Sequence, residues 1–203
     1  CGGAEAVMIS CVHNPKLKQY TGMTVAQMAA ARKRPPLEAI FDFILEDGGQ
    51  TSALYFMASE RDNQFAWQQS WTSVGLDASE MSLDGPLYEP HAHPRAWGSM
   101  PRVLGSFVRD KHLTTLDDAV RKITWLPAQR ERLVDRGLLK PGFFADIAVF
   151  SAQKIQDHAT FAKPDQISTG VEYVFVNGQL AYEQGKLTGA KAGRALRGAG
   201  WRQ

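Results

Sequence analysis

Cysteine is scarce in this chain: Cys1 and Cys11 are the only two in 203 residues. Two thiols cannot build a disulfide framework, so a reducing, cytoplasmic setting is the simpler expectation. No apolar run approaches the roughly 20 residues that span a bilayer, which argues against a membrane segment. The formal net charge is only +2. That is too little to argue for nucleic acid, so the basic runs Arg32-Lys33-Arg34 and Lys191 to Arg202 read as solvated surface. Histidine is sparse too, with five residues at 13, 91, 93, 112 and 158, and this limits any metal site. No internal repeat or low-complexity tract is present. The chain opens on Cys and enters a strand pattern within a few residues, as if cut from something longer.

What is present is ordinary for a globular protein: 44% hydrophobic and 22% charged residues, spread along the whole length. Val7 to Val12 reads as a short buried strand. Thr24 is placed to cap a helix through Val25, Met28 and Ala29. Pro35-Pro36 ends that helix and opens another, from Leu37 to Glu46, whose apolar residues Leu37, Ile40, Phe41, Ile44 and Leu45 share one side. Gly48-Gly49 stops it. Thr51 to Met57 reads as a strand, Ser59 as the cap of a helix through Trp67, and Trp71 to Leu76 as a further strand with Asp77 at its end. This alternation predicts an α/β fold with a parallel sheet or barrel.

The segment from Ala78 to Met100 lacks periodicity, and loops of that length in compact domains usually carry function. Helices are expected over Pro101–Asp110, Leu116–Thr124 and Pro127–Val134. Beyond Pro141-Gly142 the pattern turns to strands at 145–150 and 171–176. Asn177-Gly178 reads as a two-residue hairpin turn, with a return strand at 180–183. The expected division is therefore 1–142 and 143–203.

Several residues can carry chemistry. Asp77, at the mouth of a strand and beside small residues, sits where barrel enzymes place catalytic groups; its plainer reading is a cap or loop acceptor. His91-Ala92-His93 has the spacing to place two imidazoles on zinc, or is simply a polar loop pair. Arg95 can grip a carboxylate through two parallel hydrogen bonds, or brace its loop. Asp84-Gly85-Pro86 is a turn signature, and Asp146 reads as a brace for the β-rich region. Cys1 offers a different chemistry: an N-terminal nucleophile with its own α-amine as base.

Taken in order, these motifs resemble one family. Val74-Gly75-Leu76-Asp77-Ala78-Ser79, His93-Pro94-Arg95-Ala96-Trp97-Gly98, Leu116 to Thr124, Pro141-Gly142-Phe143-Phe144-Ala145-Asp146, Asp157 to Phe161, Val174 to Gly178 and Gly193 to Arg197 are similar to successive motifs of the N-acyl-D-amino-acid deacylases (D-aminoacylases) of the amidohydrolase superfamily. The resemblance implies the C-terminal part of a distorted (β/α)8 TIM-type barrel plus part of a small β-sandwich. It implies a zinc-dependent amidohydrolase acting on an N-acyl amino acid. Asp77 would be the catalytic aspartate, moving a proton from zinc-bound water to the leaving amine, and at most a weak or second-site metal ligand. Arg95 would bind the substrate's α-carboxylate, and His93 would shape its loop. Leu76 departs from the Ser or Thr that many members carry there. The family's main zinc ligands lie on earlier strands, and Cys11 and His13 do not occupy those positions. The expected partner is therefore the N-terminal half of the same enzyme, on the same or a separate chain, without which this portion is inactive. The rival expectations are the Cys1 hydrolase and a non-catalytic half-barrel that binds or assembles.

Overall fold

The element order follows from how the chain spends its helix and strand formers. A computed structural model describes residues 2–78, 81–88, 92–198, 200 and 201. Along them run strand β1 (Val7–Cys11), helices α1 (Val25–Arg32) and α2 (Pro36–Glu46), strand β2 (Ser52–Tyr55) and helix α3 (Glu60–Gln68). Next come α4 (Arg95–Arg102), a π-helical continuation over Val103–Asp110, α5 (Leu116–Ile123) and α6 (Trp125–Arg130). Strands β3 (Ile147–Phe150), β4 (Val171–Val176), β5 (Gln179–Glu183) and β6 (Lys186–Leu187) complete the order. No helix among the described residues is long and apolar enough to cross a membrane.

The chain divides into two compact units that alternate along the sequence. The first comprises Cys1–Asp62, Leu76–Trp97 and Ala159–Gln166, and the second Asn63–Gly75, Gly98–His158 and Ile167–Gln203.

In the first unit, α1 begins as expected. The Thr24 hydroxyl accepts from Gln27 N at 3.1 Å while the Gln27 side chain accepts from Thr24 N at 2.9 Å, so two otherwise unpaired donors at the helix start are satisfied. Lys33, with φ 54°, turns the chain out of α1, and Pro36 opens α2 at its first residue. Ile9, Met28, Ala39 and Phe43 meet in a core without solvent access. Tyr20 packs edge-on to Phe43 at 5.7 Å. Asp47 ties the end of α2 back to the chain: its carboxylate accepts from the amides of His13 and Asn14 and from the Thr51 hydroxyl.

Two expectations are corrected here. The buried side of α2 is Ala39 and Phe43, with Ile40 partly covered, whereas Leu37, Phe41, Ile44 and Leu45 are exposed. The small Ala39 side chain one turn before Phe43 permits close approach, and close approach decides which side docks. The sheet is also not parallel: β1 pairs with β2 antiparallel, Val7 opposite Tyr55. A single crossover helix returns a chain for parallel pairing. Two helices broken at Pro35-Pro36 reverse it once more.

The second unit packs Trp67, Val103, Leu104, Ala119 and Ile155 together. Lys122 is fully buried, with its ammonium bonded to the Trp67 carbonyl, 3.3 Å from Asp118 Oδ2 and 4.7 Å from the Trp67 ring centroid. The expected helix at Pro101–Asp110 is longer, starting at Arg95, and runs on through Pro101 into the π-helical stretch. That stretch is constrained by its neighbour, since a Cβ on Gly105 would stand 2.6 Å from the Ile155 carbonyl oxygen.

The expected strand from Trp71 to Leu76 forms no ladder. Arginines of α5 and the end of α6 hold the start of this path instead of a neighbouring strand: Arg121 donates to the Ser70 carbonyl at 2.6 Å, and Arg130 donates to the Trp71 carbonyl and, at 3.1 Å, to Ser73 Oγ. The strands after 143 form one antiparallel sheet in the order β3-β4-β5-β6. Asn177 (φ 48°) and Gly178 (φ 81°) take the two left-handed positions of the predicted hairpin turn. No parallel pair occurs among the described strands.

Candidate active site

The chemistry-bearing residues of the first unit gather around Arg95. Its backbone N donates to His93 Nδ1 at 3.0 Å. Pro94 lies between them, with its φ set by the ring, so the imidazole and the guanidinium that follows belong to one tight turn into α4. The bond requires His93 Nδ1 to be unprotonated. Burial lowers the His93 pKa, the Arg95 charge lowers it further, and Asp77 opposes both, so the ring stays neutral near pH 7.

Arg95 reaches back across 18 residues to Asp77. Its Nη2 lies 2.5 Å from Asp77 Oδ2, and its Nε donates to the Asp77 backbone oxygen at 2.9 Å. Asp77 has φ 44°, a left-handed conformation that Asp accepts more readily than most residues. The pair is open to solvent, with the Asp77 side chain 88% and the Arg95 side chain 40% accessible.

Phe161 joins the group from far along the chain. Its ring meets His93 edge-on at 5.2 Å and Phe56 at 4.8 Å. Nearby in the same unit, Tyr88 donates its hydroxyl to Asp165 Oδ2 at 3.3 Å, linking the 81–88 segment to the 159–166 segment. Burial raises the Tyr88 pKa, and the Asp165 carboxylate adds to it, which keeps the phenol protonated. The roles of Phe56, Phe161 and Asp165 were not visible in the sequence. Only the Asp157 to Phe161 motif marked that segment, and no periodicity places residue 161 beside residue 93.

Asp77, His93 and Arg95 are thus brought together. His91, the other half of the H-x-H pair, and Cys1, the alternative nucleophile, lie outside the described residues. No group of three or more His, Cys, Asp or Glu among the described residues is arranged to hold a metal ion. A catalytic zinc needs about three protein ligands. Here Asp77 is paired with Arg95, and His93 Nδ1 is taken by a backbone amide, so these residues do not by themselves fit a zinc ion. Asp84 precedes a short 3-10 turn over Gly85–Leu87, and Asp146 accepts from Asn177 N at 2.7 Å in the second unit, as the sequence suggested.

Fold and site define a protein of helices and antiparallel sheets with an exposed carboxylate paired to an arginine. The family model described as amidohydrolase family matches residues 5–182, and the chain belongs to that family. It is 36% identical over 178 residues to a D-aminoacylase of Alcaligenes xylosoxydans xylosoxydans, covering 88% of this chain and 34% of that protein. An N-acyl-D-glutamate deacylase of the same organism is 41% identical over 145 residues, covering 71% and 28%. Among solved structures, the N-acyl-D-glutamate deacylase of Bordetella bronchiseptica, complexed with zinc and a phosphonate inhibitor, superposes with a TM-score of 0.78 at 30% identity, covering 91% of this chain and 36% of that one. The chain spans about a third of the length of these relatives.

Proposed function

We propose that this chain is the substrate-carboxylate and acid–base portion of a zinc-dependent amidohydrolase that cleaves N-acyl-D-amino acids. The observation that carries the reading is the convergence of Asp77 and Arg95, 18 residues apart, on one exposed site. The family and the names of the relatives supply the reaction class. In this reading residues 1–142 contribute the last part of a (β/α)8 barrel and 143–203 part of a β-sandwich. The remaining two-thirds of the relatives' length holds the metal, in the same or a separate chain.

Within the chain, Arg95 takes the α-carboxylate of the substrate through its planar fork of donors. His93 fixes the turn that aims it. Asp77 carries a proton to the amide nitrogen as the C–N bond breaks and water's oxygen joins the acyl carbon. The small neighbour Ala78 leaves room for a ligand.

The test is turnover of an N-acyl-D-amino acid by the completed enzyme, with this chain alone as the comparison. The chain alone is expected to be inactive. Asp77→Asn in the completed enzyme is expected to lower kcat by about 10²–10⁴-fold, the usual contribution of a positioned acid–base group, with metal content unchanged. Near-normal turnover by that variant would remove Asp77 from the chemistry.

A further inference from the structure

Arg95 is read as the receptor for a substrate carboxylate, yet a carboxylate of this same chain already sits on it. Asp77 presents two oxygens to one edge of the guanidinium: Oδ2 lies 2.5 Å from Nη2, and the backbone oxygen accepts from Nε at 2.9 Å. Two parallel contacts along one edge are how a bound carboxylate engages arginine. Asp77 reproduces that pattern with one side-chain and one main-chain oxygen, in the left-handed conformation its φ of 44° records.

Two properties make the contact exchangeable. The Asp77 side chain is 88% accessible, so a ligand can reach the pair from solvent. Exposed ion pairs are also weak, because water and salt screen both charges and two side chains must be ordered to form them.

We propose that Asp77 is a built-in competitor for the Arg95 carboxylate site, so that a ligand must carry its own carboxylate to displace Asp77 and release it. The proposal rests on the reading that Arg95 receives the substrate carboxylate, and it adds a specificity rule to that reading. A carboxylate ligand exchanges with Asp77 and leaves its carboxyl group unpaired beside the bound molecule. A neutral amide or ester of the same acid cannot take the charged position, and Asp77 stays on Arg95. One residue therefore both screens the ligand and becomes available only after the right ligand has bound.

The experiment is calorimetric titration of the completed enzyme, stripped of metal to prevent turnover, with N-acetyl-D-alanine and, separately, with its C-terminal carboxamide. Wild type, Asp77→Asn and Arg95→Ala are compared, each with its thermal melt recorded to confirm folding. Removing the competitor is expected to tighten binding of the carboxylate probe about two- to fivefold, the size of a weak exposed pair. The gain should shrink near 1 M salt, where screening acts within about 3 Å. The carboxamide should show no gain. Arg95→Ala should weaken the carboxylate probe by about tenfold or more, as loss of a charge-assisted pair does. If Asp77→Asn binds no tighter than wild type while Arg95→Ala binds poorly, the competition is wrong and Arg95 keeps its role. Wild-type affinity in Arg95→Ala, or no binding by any of the three, overturns the reading beneath it as well.

Discussion

Each compact unit of this molecule holds an arginine–aspartate pair drawn from separated positions, and the two pairs live under different conditions. In the second unit, Arg136 is almost enclosed, with a 9% accessible side chain, and Asp146 is 34% accessible. Arg136 bonds to Asp146 and, at 2.7 Å, to Asn177 Oδ1, while Asp146 Oδ1 accepts from Asn177 N at 2.7 Å. The Phe144 ring lies 4.3 Å from the Arg136 guanidinium and 4.5 Å from that of Arg194, giving each an aromatic face. Every group in this network has a partner within the unit. The Arg95–Asp77 pair has a comparable charge arrangement but stands in solvent, with the Asp77 side chain 88% accessible. Enclosure makes the first a fixed clasp on the hairpin; exposure leaves the second screened by water and salt. The same two residue types form an enclosed network or a solvent-exposed pair according to how far water is excluded.

The largest effect is expected from breaking the enclosed pair. Arg136→Ala leaves Asp146 and Asn177 without their shared donor and should cost about 3 kcal/mol, the usual loss when one member of a largely buried pair is removed. Urea denaturation measures it, and a loss below about 0.5 kcal/mol would erase the contrast between the two pairs.

The next effect lies in acid. Burial pushes the Asp47 carboxyl upward, but the hydrogen bonds from Thr51 and from the Asn14 and His13 amides outweigh it, so its pKa falls below the ordinary 3.8. For Asp118, burial likewise acts upward, and hydrogen bonds from Arg121, Thr114 and Lys122 win. A carboxyl whose folded pKa is depressed stabilises the fold above its unfolded value, and that stability is lost as pH falls through the folded one. Thermal melts should therefore drop as pH falls below about 4, and Asp47→Asn should flatten that drop. An unchanged acid profile in Asp47→Asn would show that this carboxylate does not set the acid limit.

Thr24→Ala removes half of a capping box and should cost about 1 kcal/mol by the same denaturation. The smallest stability effect belongs to Arg95→Ala, expected to stay within about 1 kcal/mol because the pair is exposed. If Arg95→Ala destabilised the fold as much as Arg136→Ala, the exposed pair would be a structural clasp and not a ligand site.

Local signals carried much of this architecture. Thr24 and Ser59 mark helix starts by accepting from backbone donors that would otherwise be unpaired, Pro35-Pro36 marks one through a ring that carries no such donor, and Asn177-Gly178 marks a turn through two left-handed positions. Each is a short-range demand that neighbouring residues satisfy. Asp77, Arg95 and His93 were legible as candidates because their side chains have few uses other than charge, proton transfer and hydrogen bonding. The side of α2 that docks was not legible: the stripe of Leu37, Phe41, Ile44 and Leu45 is exposed, and packing against α1 selected Ala39 and Phe43. The direction of β2 was decided by its pairing with β1, and the unladdered path of Trp71 to Leu76 runs beside partners far along the chain, Arg121 and Arg130. The placing of Phe161 against His93, and of the Asp77 carboxylate on Arg95, belongs to the tertiary structure alone. Residue chemistry and local backbone preference are properties of a few adjacent positions. Pairing, burial and exposure depend on which distant segments meet, and it is exposure that separates the Arg95–Asp77 pair from the enclosed Arg136–Asp146 pair that holds a hairpin together.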